Sequence, residues 1–168
     1  MIGDIFIIKY NSNGSKQWTR LLGSSVNDYG TDITVDSYGD VYVTGYTGGG
    51  IDGFLGAGSW DIILAKYNSS GVKQWVRQLG TSAEDNGYGL VTDSSANVYV
   101  TGHTGGGLDG NSNFGAGQVP VTYDLVLIKF DRNGAKQWTK QFGSSGHDLG
   151  SKTTIDSSGN FYVTGYTK

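Results

Sequence analysis

The chain has 168 residues, a formal net charge of −3 and no cysteine. This length allows one domain with its own core, and the lack of cysteine excludes disulfides and thiol chemistry. The weak acidity disfavours nucleic acid as a partner, because domains that bind nucleic acid carry a basic surface. The 29 glycines and single proline suit short strands joined by tight turns better than helices.

The N-terminal sequence contains no pattern of a targeting or membrane segment. The stretch that begins Met1-Ile-Gly-Asp has no basic region and no long apolar run. We therefore expect no signal peptide, no transmembrane segment and no membrane partner for this chain. The location stays open, and an extracellular or cell-envelope position within a parent protein is one compatible setting.

Three sequence markers recur in the same order along the chain. An apolar segment that starts with aspartate and ends with lysine and an aromatic residue begins at Asp4, Asp61 and Asp124. The tripeptide Lys-Gln-Trp ends at Trp18, Trp75 and Trp138. The tetrapeptide Tyr-Val-Thr-Gly ends at Gly45, Gly102 and Gly165. All differences in spacing fall in the loop after this last glycine, so the chain is predicted to hold three structural repeats.

The second repeat is complete and predicts four strands. Its first strand is nearly continuously apolar, which is typical of a strand buried on both faces. The predicted elements are, in chain order, strand Asp61–Tyr67, turn Asn68–Gly71, strand Lys73–Leu79, connection Gly80–Gly87, strand Gly89–Thr92, turn Asp93–Asn97, strand Val98–Gly102 and the glycine-rich loop Gly105–Tyr123. Turns rich in Asn, Ser, Asp and Gly favour hairpins between these strands.

Four short strands in each repeat form the blade of a β-propeller. The sequence therefore predicts an all-β fold, a β-propeller built of four-stranded antiparallel blades. Residues 1–168 form a single propeller segment with repeats at about 4–60, 61–123 and 124–168.

The repeat resembles the bacterial β-propeller repeat family that is often called the SBBP repeat. The resemblance rests on Tyr-Val-Thr-Gly-Tyr-Thr, the glycine-rich loop, the Asp-Ile to Lys-Gln-Trp segment and Asp-Ser-x-Gly-Asn, and it covers nearly the whole chain. It implies a rigid disc that presents loops, and it brings no settled biochemical activity. Two positions depart from the pattern: Ala96 replaces a turn glycine, and Asp40 stands where the other copies have Asn97 and Asn160.

Similar propeller repeats place the strand before the Asp-x-x-Gly-Asn turn beside the central channel. The resemblance thus implies that Thr31–Val35, Tyr88–Thr92 and Lys152–Ile155 are innermost and that the tryptophan strands are outermost. The chain would then begin with two outer strands of one blade and end with two inner strands of another.

Each tryptophan strand carries basic side chains on the same face as the tryptophan, as in Lys16, Trp18 and Arg20. One interpretation is a stripe that binds anions, glycans or nucleic acid. The other is packing between blades, with the basic side chains covering the indole. Recurrence in every copy favours packing, so we expect these tryptophans to be largely buried.

The loops after the third marker vary in length and contain the candidate ligand-binding residues Phe54, Trp60, Phe114, Tyr123 and Asp109. Exposed aromatic rings can stack on sugars or anchor a protein partner. Alternatively, these rings fold back and close the gap between blades.

No cofactor is expected, and calcium is the sole candidate ion. The segment from Asp109 to Asn113 has oxygen ligands at alternate positions, as at the start of a calcium loop, but no bidentate glutamate follows. Asp28, Asp85 and Asp148 are better explained by hydrogen bonds to turn amides. His103 and His147 lie far apart in the repeat, so no zinc site is predicted.

These patterns favour a non-enzymatic scaffold or recognition module. The first alternative is a carbohydrate-binding or adhesion module that uses the aromatic loops. The second is a hydrolase or lyase in the propeller channel, where the predicted inner strands offer Asp32 and Lys152, with Gly89 at the third equivalent position.

Three repeats are too few to close a propeller, which usually has 4–8 blades. The sequence therefore predicts a homodimer of two three-repeat chains, in which Phe161–Thr164 of one chain pairs with Ile5–Lys9 of the other. The predicted interface residues are Ile5, Phe6, Ile7, Ile8, Phe161, Tyr162, Val163 and Thr164. The alternative is a fragment of a larger propeller, such as one with seven blades.

Overall fold

The computed structural model describes residues 2–117 and 121–168. These residues form twelve strands: β1 (Ile5–Tyr10), β2 (Lys16–Leu22), β3 (Asp28–Val35), β4 (Val41–Thr47), β5 (Asp61–Tyr67), β6 (Lys73–Leu79), β7 (Asp85–Thr92), β8 (Val98–Thr104), β9 (Asp124–Phe130), β10 (Lys136–Phe142), β11 (Asp148–Ile155) and β12 (Phe161–Thr167). No helix among the described residues is long and apolar enough to cross a membrane.

The strands form two complete sheets and two strand pairs. One sheet has the order β3-β4-β5-β6 and the other the order β7-β8-β9-β10, while β1-β2 and β11-β12 are two-stranded. Every pairing between these strands is antiparallel. The predicted all-β class and four-stranded blades are confirmed. We call the two-stranded sheets the terminal pairs.

The first strands of successive sheets lie beside one another, since β3 contacts β7 and β7 contacts β11. The hydroxyl of Thr31 on β3 donates to the carbonyl oxygen of Gly87 on β7 over 2.7 Å. The tryptophan strands β6 and β10 form the opposite edges of their sheets. The strand order therefore agrees with the arrangement that the repeat pattern implied.

The third strand of the blade is longer than predicted. It begins at Asp85 rather than Gly89, because Asp85–Gly87 already pairs with Gly102–Thr104 of β8. The register shifts between Gly87 and Gly89, which places a bulge in the strand and hides the alternation expected of a β-strand. The predicted connection was therefore wrong over its last three residues.

The hydrophobic core lies between the sheets. One cluster joins Ile5 and Ile7 of the first terminal pair to Val43, Ile63 and Ala65 of the first complete sheet. A second cluster joins the other face of that sheet to the second complete sheet. All seven residues of β5 are buried, as its apolar sequence predicts. A sheet is stable here because a neighbouring sheet covers each of its faces.

One turn uses alanine where glycine is expected. Ala96 has a φ of 60°, in the left-handed region that costs a residue with a side chain about 1–2 kcal/mol. The neighbouring Asp93 supports the turn, because its carboxylate accepts bonds from the amides of Ser95 and Asn97 and from the Tyr99 hydroxyl. Burial works against the ionised form of Asp93, yet these bonds together hold its pKa below the ordinary value.

Candidate functional site at the blade junctions and chain ends

The tryptophan of each outer strand lies on a hairpin turn of the next blade. The Trp18 Nε1 donates to the carbonyl oxygen of Ser69 over 3.2 Å, and Arg20 Nε donates to that of Gly71 over 2.5 Å. The guanidinium also covers the indole, 5.6 Å from its centroid. We call this set of contacts, a Trp-x-Arg on one blade and the β-turn of the next, the turn clamp.

The second junction repeats the turn clamp. Arg77 Nε donates to the Gly134 carbonyl oxygen over 2.6 Å, and its guanidinium lies 5.2 Å from the Trp75 centroid. The indole approaches so closely that a Cβ on Gly134 would lie 2.9 Å from Trp75 Cδ2. The tryptophans therefore pack between blades, as recurrence suggested. Trp18 and Trp75 are partly buried there, and each packs against a cluster of buried core residues.

A lysine at each junction reaches the same turns. Lys66 Nζ donates to the Arg132 carbonyl oxygen over 3.2 Å and lies 2.8 Å from the Asp40 carboxylate. Both side chains are largely buried, at 7% and 19% exposure, and a buried charge needs such a partner. Asp40, which departs from the repeat pattern, therefore has a structural role in neutralising Lys66.

The third turn clamp lacks its turn within the described chain. Trp138 and Lys140 occupy the equivalent positions on β10. The residues described after β10 include no further turn equivalent to those at Gly71 and Gly134. Conversely, the turn at Gly14 has a φ of 75°, like its counterparts, and no atom of the described residues lies within 4 Å of the place where a Cβ would sit. One end of the chain thus carries the tryptophan and the other carries the turn.

Apolar side chains in the terminal strands are exposed where their counterparts are buried. Phe6 of β1 is 68% exposed, whereas Ile63, at the same position of β5, is 0% exposed. Tyr162 of β12 is 55% exposed, whereas Tyr42 of β4 is 0% exposed. The internal repeats supply the comparison, because the equivalent positions are buried where a neighbouring blade covers that face of the sheet.

Clefts flank both terminal pairs. A cleft of about 770 Å³ runs between β1 and β3 and is lined by Phe6, Ile8 and Ile33. A second, of about 390 Å³, lies beside β11 and β12 and is lined by Phe142 and Val163. Each cleft lies where a complete blade would have two further strands.

The eight predicted interface residues divide into two groups. Ile5 and Ile7 are 3% and 2% exposed because they pack on the following sheet, so their side chains are not free for a partner. Phe161 is also engaged, because its ring contacts that of Tyr99 on the second complete sheet, with centroids 3.9 Å apart. The other five lie at the open ends of the chain: Phe6 and Ile8 on β1, and Tyr162, Val163 and Thr164 on β12. Their role in an interface stays a prediction.

Trp60 and Tyr123 join a continuous row of rings across the blades, which we call the aromatic belt. Trp60 contacts the rings of Tyr29 and Tyr46, with centroids 5.6 and 5.3 Å apart. Tyr123 contacts His103 at 4.8 Å and His147 at 5.3 Å. Tyr88 links the two groups, so the belt consists of Tyr29, Tyr46, Trp60, Tyr88, His103, Tyr123 and His147.

Burial sets the electrostatics of the aromatic belt. The hydroxyl of Tyr123 donates to Glu84 over 2.6 Å, and this bond together with burial raises the pKa of Tyr123 to about 12. Burial lowers the pKa of His103 to about 4. Its Nε2 accepts a bond from the Asn86 amide over 3.1 Å, since an amide nitrogen only donates. His103 is therefore neutral at pH 7.

The remaining loop candidates lie outside the belt contacts. Phe54 and Phe114 are 38% and 60% exposed, and glycan binding by the five loop residues stays a prediction. Asp109 forms an ion pair with Lys136 and accepts a bond from Thr139. Burial opposes its ionisation most, yet these two partners lower its pKa below the ordinary value. Both carboxylate oxygens of Asp109 are therefore engaged.

The described residues contain no group of three or more His, Asp or Glu side chains placed to hold a metal ion. On the inner strands, Asp32 accepts a bond from the Leu90 amide over 3.0 Å and pairs with Lys152 over 3.3 Å. These two candidates for channel chemistry thus connect β3, β7 and β11 to one another.

The sequence profile of the SBBP β-propeller repeat matches residues 17–52, 74–109 and 137–168. The chain belongs to this family. Each match begins at the Lys-Gln-Trp strand and, in the first two copies, runs past Tyr-Val-Thr-Gly into the following loop.

Two curated relatives share the sequence at low identity. The uncharacterized WD repeat-containing protein L264 of Acanthamoeba polyphaga mimivirus is 26% identical over 88% of this chain. The regulatory protein FlaEY of Caulobacter vibrioides is 27% identical over 92% of it. The chain spans 12% and 17% of the lengths of these relatives.

Sequence reasoning found the tryptophans but not the arginines' role. We expected Arg20 and Arg77 only to cover the indole, but they also donate hydrogen bonds to the turn of the next blade. The sequence does contain a signal for this role, because each Trp-x-Arg strand is followed, in the next repeat, by a hairpin turn that contains glycine. Glu84, which anchors Tyr123, had no distinguishing pattern.

Trp75→Ala should lower the free energy of unfolding by about 3 kcal/mol, because it removes a large packed ring and exposes the turn beneath it. Chemical denaturation followed by circular dichroism measures the loss. Gln74→Ala, at the neighbouring exposed position, is the control and should change stability by less than about 0.5 kcal/mol. A loss below about 1 kcal/mol for Trp75→Ala would contradict the packing role.

Stability should fall as the pH drops from 6.5 towards 4, by up to about 3 kcal/mol. The pKa of His103 is depressed in the folded state, so the unfolded chain binds a proton in this range that the folded chain does not. His103→Tyr places the residue found at Tyr46 and Tyr166 and should remove this part of the pH dependence. Identical stability–pH curves for both proteins would show that His103 is accessible to protons.

Proposed function

We propose that this chain acts as a non-enzymatic scaffold in which two copies join head to tail and close a six-bladed ring. The observation that carries the proposal is the complementarity of the terminal pairs. One end offers two outer strands, β1 and β2, and the other offers two inner strands, β11 and β12. Together they have the content of one complete blade, and two such blades would close the ring.

The internal sheets supply the register for a composite blade. In both complete sheets the second strand pairs with the third, so that Tyr42 lies opposite Lys66 and Tyr99 opposite Lys129. The same register would place Tyr162 of β12 opposite Lys9 of the partner subunit. In the complete sheets this lysine also lies over the tyrosine ring, at 5.1 and 5.2 Å. The composite pairing therefore needs no new kind of contact.

Exposed strand edges and apolar surface favour this association. The outer edges of β1 and β12 present unpaired backbone groups, which readily pair with another strand. Phe6, Ile33 and Tyr162 are each more than half exposed and would become covered as their counterparts are. Burying one such side chain contributes about 1.5–3 kcal/mol, so a pair of composite blades supplies a substantial driving force.

The scaffold proposal is supported by the state of the channel residues. Asp32 pairs with Lys152 and accepts a bond from the Leu90 amide, so both side chains take part in contacts between the inner strands. The two relatives are named as a WD repeat-containing protein and a regulatory protein, which is compatible with a scaffold role.

Multi-angle light scattering of the 168-residue chain should give twice the mass of one chain at micromolar concentration. Phe6→Asp should give a folded monomer, because it places a charge in the proposed interface at a side chain that is 68% exposed in the single chain. Leu55→Asp is the control, since Leu55 is 91% exposed and lies in a loop; this variant should remain dimeric.

A well-folded monomer of the unaltered chain would refute self-association. An assembly with a mass other than two chains would refute the six-bladed ring while retaining pairing through the same edges. A Phe6→Asp variant that stays dimeric would show that the association uses another surface.

A further inference from the structure

The arginine of the turn clamp makes the same bonds at both internal junctions. Arg20 donates from Nε to the Gly71 oxygen over 2.5 Å, and from Nη2 to the Ser70 oxygen over 3.4 Å. Arg77 repeats this with the oxygens of Gly134 and Asn133 over 2.6 and 3.3 Å. A planar guanidinium thus spans two successive carbonyl groups of the turn.

The guanidinium is also fixed from its own strand. Arg20 Nη1 donates to the Thr19 oxygen, and Arg77 Nη1 donates to the Val76 oxygen, each over 2.7 Å. This bond within the strand and the contact with the indole restrict the side chain before it meets the turn. Such pre-organisation reduces the entropy lost when the contact forms.

The third copy carries Lys140 at this position. Lysine has one compact ammonium group on a flexible stem, so it does not reproduce the fork of bonds that arginine makes. Trp138 is retained, and Lys140 is exposed. The junction that would join two copies therefore has the indole of the turn clamp without its guanidinium.

The receiving turn is already built at the other end of the chain. Gly14 N donates to Asn11 O and Asn11 N to Ser15 O, each over 3.0 Å. The turns at Gly71 and Gly134 have the same two bonds and φ values of 77° and 78°. Residues 11–15 carry no acidic side chain, so a lysine placed on this turn would meet carbonyl groups but no carboxylate.

We propose that Trp138 and Lys140 of one copy bind the turn of residues 11–14 in the partner subunit, and that lysine in place of arginine makes this the weakest junction of the ring. This inference rests on the proposed function. The ring then opens and closes at the two junctions between copies, while the internal junctions stay intact. Residue 140 sets the concentration at which the scaffold assembles.

The decisive variant is Lys140→Arg, which restores the Trp-x-Arg sequence found at the internal junctions. A hydrogen bond to a charged group contributes about 1.5–3 kcal/mol, and about 1.4 kcal/mol corresponds to a tenfold change in Kd. Because a two-fold ring contains the junction twice, we expect the dimer Kd to fall at least about tenfold. Sedimentation velocity across a dilution series measures it.

Gly14→Ala tests the turn from the other side. A Cβ at this position is free in the single chain but would meet the Trp138 ring of the partner, as it would meet Trp18 at Gly71 and Trp75 at Gly134. We expect the Kd to rise at least about tenfold. Gly53→Ala is the matched control, because Gly53 has a φ of 88° and equal free space but lies in a loop; it should leave the Kd unchanged.

The outcomes separate this inference from the proposed function. A dimer whose Kd responds to neither Lys140→Arg nor Gly14→Ala overturns the turn clamp between copies, and the ring proposal stands. A dimer that Gly14→Ala weakens but Lys140→Arg does not tighten overturns the role of residue 140. A wild-type chain that stays monomeric throughout overturns the proposed function and the inference with it.

Discussion

Contact between successive blades is the interaction on which the rest of this structure depends. Each sheet is apolar on both faces, and the core consists of the layers between sheets. A blade on its own would expose β5 or β9 to water, whereas β5 is buried at every position between its neighbours. In such repeat arrays stability is approximately the sum of the terms within repeats and between nearest neighbours. The stability of each blade therefore depends on its contacts with the neighbouring blades.

The same dependence explains why the two ends of the chain differ from its middle. In an internal blade, the blades before and after it cover both faces of the sheet. In a terminal pair, a neighbouring blade covers only one face. Ile33 and Leu90 occupy the same position on β3 and β7, yet they are 53% and 5% exposed. Their chemistry is similar, so the difference arises from the missing neighbour. The repeats thus serve as an internal control. A position that is buried in the internal blades but exposed in a terminal pair marks a contact that another repeat would complete.

Much of this architecture could be predicted from the sequence because it depends on periodic features. The four strands of the repeat and the hairpin turn at Gly71 follow from spacing and turn chemistry, and the outer position of Trp75 follows from the resemblance to other propeller repeats. The start of β7 could not be predicted, because the bulge at Tyr88 interrupts the alternation of buried and exposed residues. The aromatic belt was also inaccessible, since Trp60 and Tyr123 come from loops and meet rings that lie far apart in the sequence. For the candidate site, the sequence placed the predicted interface on β1 and β12, which each have one unpaired edge, but missed that Ile5 and Ile7 face inward. Alternation along β1 allows only every second side chain to face the open end, and the sequence does not show which face the next blade covers.

The distribution of arginine and lysine over the three turn clamps is consistent with a difference between permanent and reversible junctions. Arg20 and Arg77 act between blades joined covalently, where a rigid fork adds stability at no entropic cost of association. At a junction between separate chains the same fork would add its bonds twice per ring and oppose dissociation. In the proposed ring, Lys140 would keep a positive charge at the turn with fewer directed bonds, so packing of Trp138 and strand pairing would dominate at that junction. The chain spans 12% and 17% of its two relatives, and in a longer protein the same edges would meet the adjoining repeats. Because the contacts are between nearest neighbours, the chemistry of one position, residue 140, would then act on the join between repeats rather than on the join between copies.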